Sequence, residues 1–234
     1  MEIKLLPLDP ADFVNPNKPL TGSGNCRRAV KFWLVAPLHL YMYTLLKQSI
    51  IDKISIPDAE MEAFCNLFHL KTLKKKEFFL REGDISRYEA FVKKGLFKVY
   101  HLDEKGAEHI LYFAPENWWL ADIDSFHNNV PSMLYIEAIE DCEILVISQS
   151  DKEYANQTLP SIEKLFRIMT QKAYVNLQRR MIRNLSKTAD HRYQDFIKSY
   201  PDLAVRLNNL QISAYLGISH EFLSKIRKKM VPKK

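Results

Sequence analysis

The sequence is poor in features that mark several classes of protein. It has three cysteines (Cys26, Cys65 and Cys142) and no C-x-x-C pair, which argues against a disulfide framework or a thiolate metal site. It lacks the G-x-S-x-G and glycine-rich phosphate motifs, and its seven histidines show no H-x-x-x-H or H-E-x-x-H spacing. We therefore expect no enzyme, no metal and no resident cofactor, in a reducing cytoplasm.

Long hydrophobic runs are also absent. The apolar segment 32–46 is fifteen residues long and contains Pro37 and His39, whereas a membrane-spanning helix needs about 20 residues. Basic residues precede this segment, as in a signal peptide, but it begins about thirty residues into the chain and no small-residue cleavage site follows it. The sequence therefore predicts no membrane helix and no secretion.

The first 41 residues differ from the rest. Four prolines between positions 7 and 19 and the Gly-Ser-Gly sequence at 22–24 oppose regular structure, and no apolar period is visible. We expect residues 1–41 to be a weakly ordered extension, and Met42 is a hypothetical natural first residue.

The charge is distributed unevenly along the chain. Residues 161–234 contain 16 Lys and Arg against 5 Asp and Glu, a net charge of +11, whereas residues 77–160 have a net charge of −9. A strongly basic end behind an acidic middle is typical of a protein with a polyanionic partner.

Residues 42–160 predict two short amphipathic helices followed by about six strands joined by tight turns. The strands are short, rich in Val, Ile, Tyr and Phe, and punctuated by turn signals such as Asp103-Glu104-Lys105-Gly106. They are expected at 77–80, 89–92, 96–102, 109–113, 133–138 and 143–148. This spacing predicts an α+β fold with a small antiparallel barrel or roll.

The period becomes helical after Pro160. Apolar residues recur every three or four positions over about 24 residues; they are Ile162, Phe166, Met169, Ala173, Leu177, Met181 and Leu185. This helix over 161–186 either packs only on its own β domain or pairs with a second copy as a coiled coil. We favour the dimer, because a length of roughly 36 Å exceeds what a small roll can cover.

Residues 187–234 contain a helix-turn-helix pattern. One short helix is predicted to end at Gly217, and a second is predicted to begin with Ser219 as its N-cap. The positions expected to be apolar or small where the two helices cross are Ile212, Ser213, Leu216, Ile218, Leu223 and Ile226.

The second of these helices carries a polar outer face. Glu221, Ser224, Lys225 and Lys228 follow an i, i+3, i+4, i+7 spacing, so they share one side that could enter a major groove. A lysine-rich helix end can also be an ordinary solvated surface, but that interpretation does not explain the turn pattern.

The order of these segments resembles the Crp/Fnr family of transcription regulators, in particular divergent members from the Bacteroidetes lineage. The resemblance covers about 42–229 and is carried by Arg81-Glu82-Gly83-Asp84, Glu116-Asn117-Trp118-Trp119, Leu177-Gln178-Arg179-Arg180 and the stretch 215–224. It implies a cyclic-nucleotide-binding-like β-roll over 42–160, a dimerisation helix over 161–186 and a DNA-binding domain over 187–234. It also implies that Ser219, His220, Glu221 and Lys225 lie where relatives touch bases.

The sequence departs from the members of this family that bind a cyclic nucleotide. They carry a Gly-Glu pair and, about ten residues later, an arginine that grips the phosphate, where this chain has Ala121-Asp122 and Ser132. Burying a phosphate without a cation is costly, so we predict that cyclic AMP is not bound. Trp118 and Trp119, with Asp122 and Ser132, are the candidates for an effector pocket, although adjacent aromatics are more often core or interface.

We conclude from the sequence that the chain is a homodimeric transcription regulator that binds double-stranded DNA at an inverted repeat, with an unknown effector. The predicted DNA contacts are Ser219, His220, Glu221, Ser224, Lys225, Arg227, Lys228 and Arg180. RNA polymerase is a further partner expected of such a regulator. The alternative is a small-ligand sensor or protein-interaction module whose basic C-terminus binds another anionic partner.

Overall fold

The structure, a computed structural model, describes residues 42–230. The predictions of a weakly ordered extension and of a natural start at Met42 concern a segment that lies outside the described residues. The domain boundaries predicted from the sequence stay predictions.

Two short helices precede the β-structure, as expected from the sequence. Helix α1 spans Thr44–Ile51 and helix α2 spans Asp58–Cys65. Pro57 precedes the first turn of α2 in an extended conformation, where its missing N–H costs nothing. Leu46 and Phe64 point into the core and are fully buried. Packing therefore stabilises these short helices more than their few intrahelical hydrogen bonds do.

Eight strands form two four-stranded sheets, with all pairs antiparallel. The strands are β1 (His69–Leu73), β2 (Phe78–Leu80), β3 (Tyr88–Lys94), β4 (Phe97–Leu102), β5 (Glu108–Ala114), β6 (Trp119–Leu120), β7 (Tyr135–Ala138) and β8 (Cys142–Ser148). The first sheet has the order β1-β8-β3-β6 and the second the order β2-β7-β4-β5. The predicted antiparallel roll is confirmed.

The hairpin between β4 and β5 illustrates how the sequence directs this topology. Gly106 adopts a φ of 76°, and Asp103 accepts hydrogen bonds from the N–H groups of Lys105 and Ala107, both at 2.9 Å. The turn sets the register that pairs Leu102 with Glu108. A positive φ is accessible to glycine without steric cost, so Gly106 indicates a turn at this position of the sequence.

Two strands were not predicted. In β1 four of the five side chains are exposed, and β6 has only two residues. Neither gives the apolar alternation by which the other six strands are detected, and β1 owes its strand conformation to backbone pairing with β8 along its whole length.

Two apolar clusters hold the roll together. One fills the space between the sheets and includes Val92, Phe97, Val99, Ile136 and Ile144. The other packs the opposite side of β3 and β8 against the helices; its buried residues include Leu46, Phe64, Phe68, Phe91, Leu145, Ile147, Ile162 and Leu165. Strand side chains alternate between faces, so β3 and β8 contribute to both clusters.

Seven helices complete the described part of the chain. They are α3 (Ile123–Asn128), α4 (Gln149–Thr158), α5 (Pro160–Ser186), α6 (Ala189–Ser199), α7 (Pro201–Arg206), α8 (Asn209–Leu216) and α9 (His220–Met230). Helix α5 has 27 residues and is therefore about 40 Å long. Its first two turns bury Ile162 and Leu165 against the roll.

The C-terminal helices pack on the second sheet through a third apolar cluster. It joins Leu96, Tyr100, Ile110 and Phe113 of the roll to Tyr193, Phe196, Leu203, Leu207, Ile212, Leu216, Leu223 and Ile226. The helix-turn-helix therefore packs against strand β5.

Candidate nucleic-acid interface

The turn between α8 and α9 has the geometry that the sequence predicts. Asn208 and Gln211 form a capping box at the start of α8, with each side chain accepting from the other residue's backbone N–H at 2.9 and 3.0 Å. Gly217 ends α8 with a φ of 64°, and Ser219 caps α9 by accepting from the N–H of Phe222 at 3.2 Å. The predicted helix-turn-helix is confirmed.

The buried side of this unit also follows the prediction. Ile212, Leu216, Leu223 and Ile226 are buried in the third apolar cluster, and Ile218 is partly buried beside them. Ser213 is also buried, and its hydroxyl donates to the carbonyl of Leu210 in the same helix. Packing on this side fixes which side of α9 faces outward.

The outer side of α9 presents most of the predicted contact residues to solvent. Ser219, His220, Glu221, Lys225, Arg227 and Lys228 are exposed, and Ser224 is half-buried. The backbone N–H of Glu221 and the Ser219 hydroxyl hold the pKa of the Glu221 carboxyl below its usual value. Glu221 is therefore a charged hydrogen-bond acceptor at neutral pH, four residues before the charged donor Lys225.

Arg227 has a second connection, because it donates to the side-chain oxygen of Asn209 on α8. Together with Lys228 and Lys229 it occupies the last turn of α9, where cations interact favourably with the helix dipole. These charges therefore stabilise the helix end as well as making the surface basic.

Arg180 does not lie on this outer surface. Its guanidinium is half-buried between three elements, where Nη2 donates to the carbonyl oxygens of Ile110 at 2.8 Å and Tyr215 at 3.2 Å. Burial, followed by the positive charge of Arg183, lowers the pKa of Arg180. The sequence indicated a basic helix position but not these two backbone partners.

Arg206, which the sequence did not single out, joins the C-terminal helices to the roll. It binds Glu116 through both Nη atoms at 2.8 and 3.1 Å, and binds Glu140 through Nε and Nη2 at 3.1 and 2.7 Å. Burial alone would raise the pKa of the Glu116 carboxyl, but hydrogen bonds from Arg206 and from the N–H of Gly95 outweigh it and the pKa is lowered. This fork locks α7 onto two loops of the acidic roll.

The second half of α5 exposes a stripe of large apolar side chains. Leu177, Met181 and Leu185 are 65%, 63% and 79% exposed, and Tyr174 and Ile182 are exposed beside them. A contiguous apolar stripe of this length on a single chain marks an interaction surface.

The four candidate effector residues have different surroundings in the structure, and their role as a pocket stays a prediction. The Asp122 carboxylate caps α3 by accepting from the N–H groups of Asp124 and Ser125, and it also accepts from the hydroxyl of Ser132 at 2.6 Å. Asp122 and Ser132 are both buried. Both oxygens of the Asp122 carboxylate thus have hydrogen-bond partners within the chain.

The two tryptophans separate at β6. Trp119 packs into an aromatic cluster with Phe68, Phe91 and Phe166, at ring-centroid distances of 6.0, 5.7 and 5.4 Å, while Trp118 is 38% exposed. Trp119 therefore takes part in the packing between the roll and α5, and its role in an effector pocket stays a prediction. Trp118 is the residue before β6 and is not part of this cluster.

No helix within residues 42–230 is both long and apolar enough to cross a membrane.

Comparison with known proteins supports this architecture. Residues 70–154 match the family model of the cyclic nucleotide-binding domain. No curated protein matches the sequence. Among solved structures, FixK2 from Bradyrhizobium japonicum is similar with 20% identity and a TM-score of 0.62, covering 70% of this chain and 84% of FixK2.

Two further structures show the same similarity. The c-di-GMP-responsive global regulator CLP from Xanthomonas campestris has 16% identity and a TM-score of 0.61, covering 74% of this chain and 91% of CLP. A protein from Eubacterium rectale assigned to the Crp/Fnr family of transcriptional regulators has 14% identity and a TM-score of 0.60, covering 74% and 83% of the two chains. Likeness at these identities establishes a shared fold.

Proposed function

We propose that this chain is a homodimeric, sequence-specific DNA-binding regulator in the cytoplasm. It contains a cyclic nucleotide-binding domain and has the fold of Crp/Fnr transcription regulators. The observation that carries the proposal is the α8–Gly217–α9 unit. Leu223 and Ile226 anchor α9 from within, while Glu221 and Lys225 face outward. One α9 would enter the major groove at each half-site of an inverted repeat, with half-site centres roughly 34 Å apart.

The apolar stripe on α5 supports the dimer. Its side chains lie on one side of a helix about 40 Å long, and a second copy of the same helix would cover them from end to end. A parallel pairing about a two-fold axis places both C-terminal ends together and gives the two α9 helices the symmetry of an inverted repeat.

The side chains on α9 suggest how sequence would be read. Lys225 can donate to the O6 and N7 atoms of guanine, and Glu221 can accept from the N4 amino group of cytosine. Arg179, Lys187 and the basic residues 227–229 are candidates for phosphate contacts, which position the protein and make its affinity strongly salt-dependent. A contact with RNA polymerase remains a prediction of the resemblance.

We propose further that the roll does not bind cyclic AMP. The Asp122 carboxylate already caps α3 and binds Ser132, and its negative charge would repel a phosphate placed beside it. Titration calorimetry with cyclic AMP is expected to show no heat of binding, and a micromolar affinity would contradict the proposal.

Lys225→Ala tests the proposed reading helix, with Lys172→Ala as its control. Both substitutions remove one charge from an exposed lysine, but Lys172 is on α5, away from the helix-turn-helix. Binding to a selected duplex and to a scrambled duplex is measured by fluorescence anisotropy at two salt concentrations. We expect Lys225→Ala to cost about 1–3 kcal/mol at the selected duplex alone.

The same titrations separate this proposal from the alternative of a ligand sensor whose basic end binds another anion. Equal losses on both duplexes for Lys225→Ala would refute base reading by α9. Failure of the wild-type protein to bind any duplex at low salt would favour the alternative.

A further inference from the structure

Two arginines meet where the dimerisation helix, the roll and the helix-turn-helix converge. Arg180, near the end of α5, donates to the carbonyl of Ile110 in β5 and to that of Tyr215 in α8. Arg192, on α6, reaches the same end of α8, where its Nη2 donates to the carbonyl of Leu216 at 3.1 Å.

Arg192 also holds the end of α5. Its Nη1 donates to the carbonyls of Asn184 at 3.2 Å and Lys187 at 3.4 Å. One guanidinium therefore bridges the C-terminal ends of α5 and α8, which are separated by about thirty residues in the sequence.

Positively charged side chains are favourable at this junction because they donate to carbonyl groups at helix C-termini. The last four carbonyls of a helix have no intrahelical partner, and they carry the negative end of the helix dipole. Tyr215 and Leu216 are the last two residues of α8, and Asn184 lies in the last turn of α5. Each arginine thus satisfies groups that would otherwise be unpaired beside the third apolar cluster.

An aromatic contact fixes the orientation of Arg180. Its guanidinium carbon lies 4.3 Å from the ring centroid of Tyr215, and that ring packs against Phe113 of β5 and Phe196 of α6 at 5.5 and 5.3 Å. A planar guanidinium can stack on a ring and donate to two carbonyls at once, whereas a lysine ammonium lacks this planar fork.

We infer that Arg180 and Arg192 are positioning residues, which fix the helix-turn-helix on the end of α5 and thereby set the distance between the two α9 helices of the dimer. The inference rests on the proposed function. The sequence predicts that Arg180 contacts DNA, whereas its guanidinium donates to the backbone carbonyls of Ile110 and Tyr215. Loss of the junction would let α8 and α9 shift relative to α5, and the dimer would then tolerate incorrect half-site spacing.

Hydrogen exchange of the full-length protein without DNA tests the junction itself. The variants are Arg180→Ala, Arg180→Lys and Arg192→Ala, with Arg179→Ala as a control that removes the same charge from an exposed neighbour. In the first three, α8 amides should exchange about tenfold faster, while those of β3 and β8 stay protected. Wild-type exchange across α8 in both Arg180→Ala and Arg192→Ala would overturn the inference.

Binding to DNA then tests the consequence for spacing. Duplexes whose half-sites are moved apart or together by one or two base pairs should be discriminated less by Arg180→Ala and Arg180→Lys than by wild type. The slope of log affinity against log salt should not change. If Arg180 touched a phosphate in each subunit, the slope would fall by about 1.8 in Arg180→Ala and Lys would restore it, which would contradict the positioning role.

The two arms separate the inference from the proposed function. Wild-type protein that ignores every duplex refutes DNA binding, and the exchange measurement still decides whether the arginines hold α8. Normal DNA binding with unchanged α8 exchange and unchanged spacing preference in Arg180→Ala refutes the positioning role alone.

Discussion

Leu177→Glu should break the proposed dimer, because Leu177 lies in the middle of the exposed stripe on α5. Fully burying a leucine side chain is worth about 1.5–3 kcal/mol, and 65% of this side chain is still exposed in one chain. Covering that fraction is worth about 1–2 kcal/mol in each subunit, or about 2–4 kcal/mol in a dimer. The substitution should therefore raise the dimer dissociation constant by about 30- to 1000-fold, and two carboxylates facing each other would increase the effect.

Sedimentation equilibrium over a range of concentrations measures this change. The matched control is Val205→Glu, which makes the same kind of substitution at a residue on α7 that is 88% exposed and should leave the dissociation constant within about twofold of wild type. A dimer that survives Leu177→Glu with its original dissociation constant would refute pairing through α5. Equal weakening by both variants would show that the added charge acts nonspecifically.

Three further substitutions probe the C-terminal helices, each by chemical denaturation. Leu223→Ala should lower the free energy of unfolding by about 2–5 kcal/mol, because Leu223 is fully buried. The control Leu210→Ala, at an exposed position of α8, should change it by less than about 0.5 kcal/mol. Similar losses in the two variants would contradict the packing of Leu223. Gly217→Ala should cost about 1–2 kcal/mol, since its φ of 64° strains other residues although no atom lies within 4 Å of the added carbon; an unchanged stability would show that the turn can rearrange. Arg206→Met should lower the free energy of unfolding by about 1 kcal/mol at neutral pH, a value discounted for solvent exposure. The pKa of Glu116 is lowered in the folded protein, so the stabilisation is present at pH values above the ordinary carboxyl range. It is lost as the pH falls through the lowered pKa. The gap between Arg206→Met and wild type should therefore close as the pH falls below the ordinary carboxyl range, and a gap independent of pH would refute the ion-pair origin.

The parts of the fold that were predictable from sequence are those with a local signal. Gly217 and Ser219 identify the turn by their backbone chemistry, and Leu223 and Ile226 identify the inner side of α9 by their spacing. Gly106 marks the β4–β5 hairpin in the same way. These residues act on neighbours within a few positions, so the pattern is readable without knowing the rest of the structure.

The connections between segments were not predictable, because their partners are remote or are backbone atoms. Arg206 binds Glu116 and Glu140, which lie 90 and 66 positions away. Arg180 binds the carbonyl of Ile110, 70 positions away, and a carbonyl leaves no trace in the identity of its residue. A basic residue on a helix therefore suggests a phosphate contact, whereas the structure shows the Arg180 side chain connecting α5 to β5 and α8.

Selection of duplexes from a random pool, followed by sequencing, tests the central claim most directly. The protein at near-physiological salt should enrich a two-fold symmetric motif whose half-site centres are about 10 base pairs apart. Lys225→Ala should recover the same spacing with a weaker preference inside each half-site. Enrichment of a motif without two-fold symmetry, or retention of no duplex by the wild-type protein at any salt concentration, would contradict it.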